Sequence, residues 1–147
     1  MDEAVENLDV EFADLLQRSR DLVSRLSSEK LYARPNGCAE SVGERLMRSA
    51  AIVEQSFGGL MANLWDDPYE WTLPETLNTP AKVIEYLDEV ETTRRQAFDA
   101  FKTDGDLSKE IMTPGGAIQL RQFLLDTLRR ARHHQQRARA IFELLKE

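Results

Sequence analysis

An apolar stripe in the C-terminal part of the chain constrains the fold more than any other feature. Between Leu120 and Leu145, core-type residues recur at alternating steps of four and three, the spacing of one face of an α-helix. This pattern predicts a long helix from about residue 117 to 145 that packs lengthwise against other helices. The stripe consists of Leu120, Leu124, Thr127, Ala131, His134, Ala138, Ile141 and Leu145. His134 is its most polar member, and a buried imidazole must find a hydrogen-bond partner.

Three earlier segments have the same periodicity and predict helices at about 3–27, 42–64 and 80–102. Two of them begin with start signals: a capping box at Ser41-Val42-Gly43-Glu44, and Thr79 followed by Pro80. The breaker Thr113-Pro114-Gly115-Gly116 predicts either a short hairpin or an irregular loop before the last helix. The chain is therefore expected to form an all-α four-helix bundle, as a single domain over 1–147, with longer connections after helices two and three.

Charge and cysteine content narrow the environment and the partners. The net charge of −7 argues against nucleic-acid binding, which requires a cationic surface. No apolar run approaches the ~20 residues that span a membrane. The acidic N-terminus lacks the apolar run of a signal peptide, and Cys38 is the single cysteine. These features predict a cytoplasmic protein without nucleic-acid or membrane partners.

Two features allow more than one interpretation. The connection after helix two carries Trp65, Tyr69 and Trp71, and such an aromatic loop can cover a bundle end, border a pocket or form a dimer contact. Arg94 lies on or beside the apolar stripe of helix three. Its stem can follow the core with the head at the edge, or its head can belong to a pocket.

His134 itself has three interpretations. A metal site is disfavoured by spacing, because Arg130 occupies the position four residues earlier and His133 points about 100° away around the helix. His134 could act as a general base, but no nucleophile motif accompanies it, and nothing in the sequence brings Cys38 near. The third interpretation is a hydrogen-bonded core histidine.

Three segments carry a resemblance to a known family: Arg34-Pro35, the run Ser41 to Leu46, and the run Leu120 to Ile141. Over nearly its whole length the chain resembles the DinB-like superfamily, which includes the bacillithiol- and mycothiol-dependent S-transferases. The resemblance implies a homodimer and a three-histidine metal site, with one ligand from helix two and two from helix four. The corresponding positions here are Arg48, Arg130 and His134.

Arginine has no lone pair to offer a metal, so the family's metal centre is expected to be absent. Two guanidinium groups and an imidazole would instead converge, and carboxylates of the chain or a small anionic ligand must balance their charge. We expect Glu44, Arg94 and His133 at the rim of this pocket. The chain is then a binding or structural protein with a degenerate metal site. The alternative is a metal-dependent thiol S-transferase or related hydrolase that binds zinc or nickel through other residues.

Overall fold

The computed structural model describes residues 2–146, apart from the side chains of Glu70 and Trp71. Its helices and strands are α1 (Glu3–Ser24), α2 (Ser28–Leu31), α3 (Val42–Ala62), a 3-10 turn (Pro68–Trp71), α4 (Pro80–Phe98), α5 (Asp104–Leu107), β1 (Glu110–Thr113), β2 (Gly116–Gln119) and α6 (Leu120–Leu145). The four long helices α1, α3, α4 and α6 form the bundle that the apolar stripes predicted.

Both predicted start signals are confirmed. The Ser41 hydroxyl accepts from the Glu44 amide at 3.1 Å, and the Glu44 carboxylate accepts from the Ser41 amide at 3.0 Å. The Thr79 hydroxyl accepts from the Lys82 amide at 3.2 Å, with Pro80 in the first turn of α4. These bonds satisfy amide groups that the helix itself leaves unpaired.

Three predicted helix ends were wrong by a few residues, and the neighbouring short elements explain each difference. The first helix ends at Ser24 because Ser27 caps the short α2. The third ends at Phe98 because Thr103 and Asp106 form a capping box that begins α5. The last begins at Leu120, because residues 116–119 pair antiparallel with 110–113 in a two-stranded hairpin.

Contacts between helices define their directions. The pairs Ser49–Ala131 and Ser56–Thr127 show that α3 and α6 are antiparallel. The pairs Arg20–Asp88 and Arg94–Asp9 show the same for α1 and α4. Helices α3 and α4 run in the same direction, since Glu54 contacts Tyr86 and Phe57 contacts Phe98. The connection 63–79 must therefore travel back along the bundle, which accounts for its length.

The core combines an aromatic centre with a few satisfied polar groups. The rings of Phe12, Phe57 and Phe98 lie within 5.2–5.9 Å of one another. The buried Ser19 hydroxyl accepts from the Gln135 side-chain amide at 2.8 Å. This bond joins α1 to α6 at the level of Gln135, one residue after His134.

Candidate functional site

A cluster of charged and aromatic side chains surrounds His134 near the start of α3. We call Glu40, Arg45, Arg48, Tyr69 and His134 the Arg45 cluster. Its centre is the Glu40 carboxylate, which accepts from two arginines at once. One oxygen lies 3.0 Å from Arg45 Nη2, and the other lies 3.1 Å from Arg48 Nε. A single carboxylate thus occupies a clamp formed by two guanidinium groups on successive turns of α3.

His134 contacts a different guanidinium nitrogen of Arg45 from the one that contacts Glu40. Arg45 Nη1 lies 2.9 Å from His134 Nδ1. A guanidinium can only donate, so Nδ1 must accept, and the imidazole is neutral with its proton on Nε2. Burial, followed by the proximity of Arg45, His133 and Arg48, lowers the pKa of His134, while Glu40 opposes this shift. The neutral imidazole therefore serves as an acceptor that orients Arg45.

Tyr69 holds the second arginine. The guanidinium carbon of Arg48 lies 4.1 Å from the centre of the Tyr69 ring, a cation–π distance. Tyr69 belongs to the 3-10 turn, so the connection 63–79 contributes directly to the cluster. Trp65 anchors the beginning of this connection, with its ring 5.8 Å from that of Phe123. The Trp71 side chain is not among the parts of the chain that the structure describes.

Of the three residues predicted for the pocket, Arg48, Arg130 and His134, the structure brings two together. Arg48 and His134 do belong to one cluster, but Arg45 and Glu40 connect them, and both of these residues were missed. Arg130 is exposed and forms no hydrogen bond or ion pair with any described side chain. A signal for Arg45 was present in the sequence, because it lies one turn before Ser49 on the face that packs against α6.

The three predicted rim residues have other surroundings. Glu44 caps α3 and accepts from Arg34 at 3.1 and 2.9 Å. Burial alone would raise the pKa of Glu44, but the hydrogen bonds from Arg34 and Ser41 outweigh it and lower the pKa. The His133 ring lies 5.4 Å from that of His134, but its side chain is exposed.

Arg94 lies in neither of the two settings considered for it. Its side chain is 1% exposed at the contact between α4 and α1. Asp9 pairs with one end of the guanidinium, and Glu91 accepts from its Nε at 2.6 Å. Arg94 is therefore a buried structural charge, separate from the Arg45 cluster.

The residues at the expected ligand positions do not fit a divalent metal. The Nδ1 atom of His134 already accepts from a guanidinium, and the neighbouring side chains, Arg45 and Arg48, are cations that cannot ligate. Within residues 2–146, side chains of Glu70 and Trp71 aside, no three His, Cys, Asp or Glu residues are grouped as metal ligands. The cluster holds the Glu40 carboxylate between two cations, Arg45 and Arg48.

Solved structures share this fold. A protein from Exiguobacterium sibiricum 255-15, described as a "putative member of the DinB family", has a TM-score of 0.70 and 19% identity, over 99% of this chain and 94% of its own. A conserved protein from Enterococcus faecalis has a TM-score of 0.71 and 13% identity, over 98% of both chains. The sequence matches no protein-family model and, at a significant level, no curated protein.

The class defined by these observations is an all-α, DinB-like four-helix bundle. At these identities the likeness establishes the fold and leaves the chemistry to the residues of this chain. None of the helices described in residues 2–146 is long and apolar enough to cross a membrane.

Proposed function

We propose that this protein is a metal-independent binding protein whose Arg45 cluster takes a carboxylate, or a similar small oxyanion, in place of the Glu40 side chain. One observation carries the proposal. The two oxygens of the Glu40 carboxylate are held by two different arginines, Arg45 and Arg48. A free carboxylate has the same planar pair of acceptor oxygens and can be recognised by the same donors.

The two arginines are oriented before any ligand arrives. His134 accepts from Arg45, and Tyr69 stacks under Arg48, so neither guanidinium depends on Glu40 alone for its direction. Such preorganisation lowers the cost of binding, because fewer side chains must be ordered. Arg48 is 43% exposed, which makes the clamp accessible to a solute.

The state of His134 favours binding over acid–base catalysis. Burial and the neighbouring arginines lower its pKa, so the imidazole is neutral at neutral pH and cannot serve as a general acid there. Its Nδ1 lone pair is engaged by Arg45, which also makes that nitrogen unavailable as a base. A role in orienting Arg45 uses both properties.

Thermal unfolding tests the clamp. Sodium acetate and sodium sulfate should raise the melting temperature more than sodium chloride at equal ionic strength, because a ligand that binds only the folded state stabilises it. Glu40→Ala should increase this difference, since it removes the internal competitor. Arg48→Ala should abolish it, and Arg130→Ala is the matched control that should leave it unchanged. Equal anion effects in all four proteins would refute the clamp.

Metal analysis tests the other half of the proposal. Protein purified without chelator is expected to contain no stoichiometric zinc or nickel, and its melting temperature should not respond to EDTA. Stoichiometric metal that is lost in His134→Ala would overturn metal independence and favour the S-transferase or hydrolase alternative.

The single-domain extent over 1–147, a homodimeric assembly and a cytoplasmic location belong to the same proposal. The homodimer is supported by the family resemblance, and the location by the single cysteine, Cys38. Light scattering coupled to size-exclusion chromatography tests the assembly directly. A monomer at micromolar concentration would contradict it.

A further inference from the structure

Helix α6 has a second arginine-rich surface, which is separate from the Arg45 cluster. His134 faces α3, whereas Arg132, Gln135, Gln136 and Arg139 face α1. Between these residues and α1 lies a groove with a volume of about 300 Å³. We call it the α1/α6 groove, and its α1 wall consists of Asp14, Leu15, Arg18 and Leu22. The volume lies at the lower end of the range for small-molecule sites.

The α1/α6 groove concentrates positive charge in an acidic protein. Three arginines and one carboxylate line it, although the chain as a whole has a net charge of −7. Arg18 pairs with Asp14 at 2.8 Å, and Arg132 lies 3.6 Å from Glu11. Arg139 has no ion-pair partner among the described side chains. At least one full positive charge is thus available to a ligand.

Two hydrogen bonds between α1 and α6 fix the floor of the groove. The Gln135 side-chain amide donates to the Leu15 carbonyl at 2.6 Å and to the Ser19 hydroxyl at 2.8 Å. These two bonds hold α1 and α6 at a set separation below the arginines. Leu15 and Leu22 add an apolar surface between the charged groups. A ligand that fits this lining has an apolar middle and charged ends.

The spacing of the arginines indicates the class of ligand. Arg132 and Arg139 are seven residues apart, which places their backbones about 10 Å apart along the helix axis. A ligand with two anionic ends and a short apolar chain between them can contact both arginines at once. We propose that the α1/α6 groove binds a linear organic dicarboxylate, with one carboxylate at Arg132 and the other at Arg139 and Arg18.

Isothermal titration with adipate, and with butyrate as the monocarboxylate control, tests this proposal. Adipate is expected to bind more tightly than butyrate because it reaches both ends of the groove. Loss of one charged hydrogen-bond donor should weaken adipate binding by roughly ten- to hundredfold in Arg132→Gln and in Arg139→Gln. Arg137→Gln, on the same helix but outside the groove, is the matched control and should bind like the wild type.

Other variants separate this site from the Arg45 cluster and from a protein interface. Adipate binding that persists in Arg48→Ala assigns it to the groove, whereas loss in that variant alone would assign it to the Arg45 cluster and refute the proposal. Equal affinity for adipate and butyrate, or equal loss in Arg137→Gln and Arg139→Gln, would also refute it. So would a homodimer that dissociates in Arg139→Gln, because a second copy would then occupy the groove.

Discussion

Removing both carboxylates that hold Arg94 is expected to destabilise the protein more than any surface change. Arg94 is 1% exposed, its guanidinium pairs with Asp9 and Glu91, and its carbon lies 5.1 Å from the centre of the Phe98 ring. In Asp9→Asn/Glu91→Gln the charge stays buried while both counter-charges are lost. Arg94 remains charged in this variant, because a guanidinium does not lose its proton in a protein.

The expected magnitude follows from the burial of each partner. Asp9→Asn alone should cost about 1.5 kcal/mol, at the low end for a charged hydrogen bond, because Asp9 is 36% exposed and Glu91 remains. The double substitution should cost about 3–5 kcal/mol, the range for a buried charge left without a partner. For a chain of this size that corresponds to a drop of roughly 6–20 °C in melting temperature.

A third substitution, Arg94→Met, is expected to raise the free energy of unfolding that the double substitution lowers. Adding Arg94→Met to the double variant removes the buried charge and leaves an apolar chain of similar length, so stability should rise. Urea unfolding followed by circular dichroism measures all three differences. Asp14→Asn is the matched control: the Arg18–Asp14 pair is exposed, and its loss should cost less than about 1 kcal/mol. If the triple variant is no more stable than the double variant, the buried charge is not the cause.

Three further predictions concern the helix ends and His134. Because the pKa of folded His134 lies below 6.5, the unfolded chain binds more protons than the folded chain near that pH. The free energy of unfolding should therefore fall as the pH drops through 6.5. His134→Gln should flatten this slope, as measured by urea unfolding between about pH 7.5 and 5.5. Gly59→Ala would place a methyl group inside the Trp65 ring, and calorimetry should show a loss of about 1–2 kcal/mol after the gain in helix propensity. Glu44→Ala removes half of a capping box and the Arg34 pair, so chemical denaturation should show a loss of about 1–2 kcal/mol, whereas Glu29→Ala should be nearly neutral.

The elements that were predicted correctly are those specified by local periodicity. Burial on one face of a helix requires an apolar residue every three or four positions, so the four long helices could be located from the stripes alone. The short α5 was missed although its capping box, Thr103 to Asp106, is written in the sequence. A four-residue helix buries too little surface to have a stripe of its own.

The residues of the site were harder to predict because arginine side chains are long. Arg45 and Arg48 lie one turn apart on α3, and either could have reached the ring of His134. Which one does so depends on Glu40 and Tyr69, which approach from two different connections. Arg94 shows the same limit: its inward position followed from the stripe, but its partner Asp9 comes from a helix distant in sequence.

The two arginine centres differ in their exposure to solvent. Arg94 is closed to solvent, whereas Glu40 and Arg48 are 24% and 43% exposed, and in the proposed function a solute replaces the Glu40 carboxylate. Glu40 competes as a tethered ligand with an effective concentration on the order of millimolar or higher. The apparent Kd of the wild type for acetate should therefore be larger than that of Glu40→Ala. The expected factor is one divided by the fraction of time in which Glu40 leaves the clamp empty. Titration of both proteins with acetate measures this ratio, and a ratio of one would mean that Glu40 never occupies the clamp in solution.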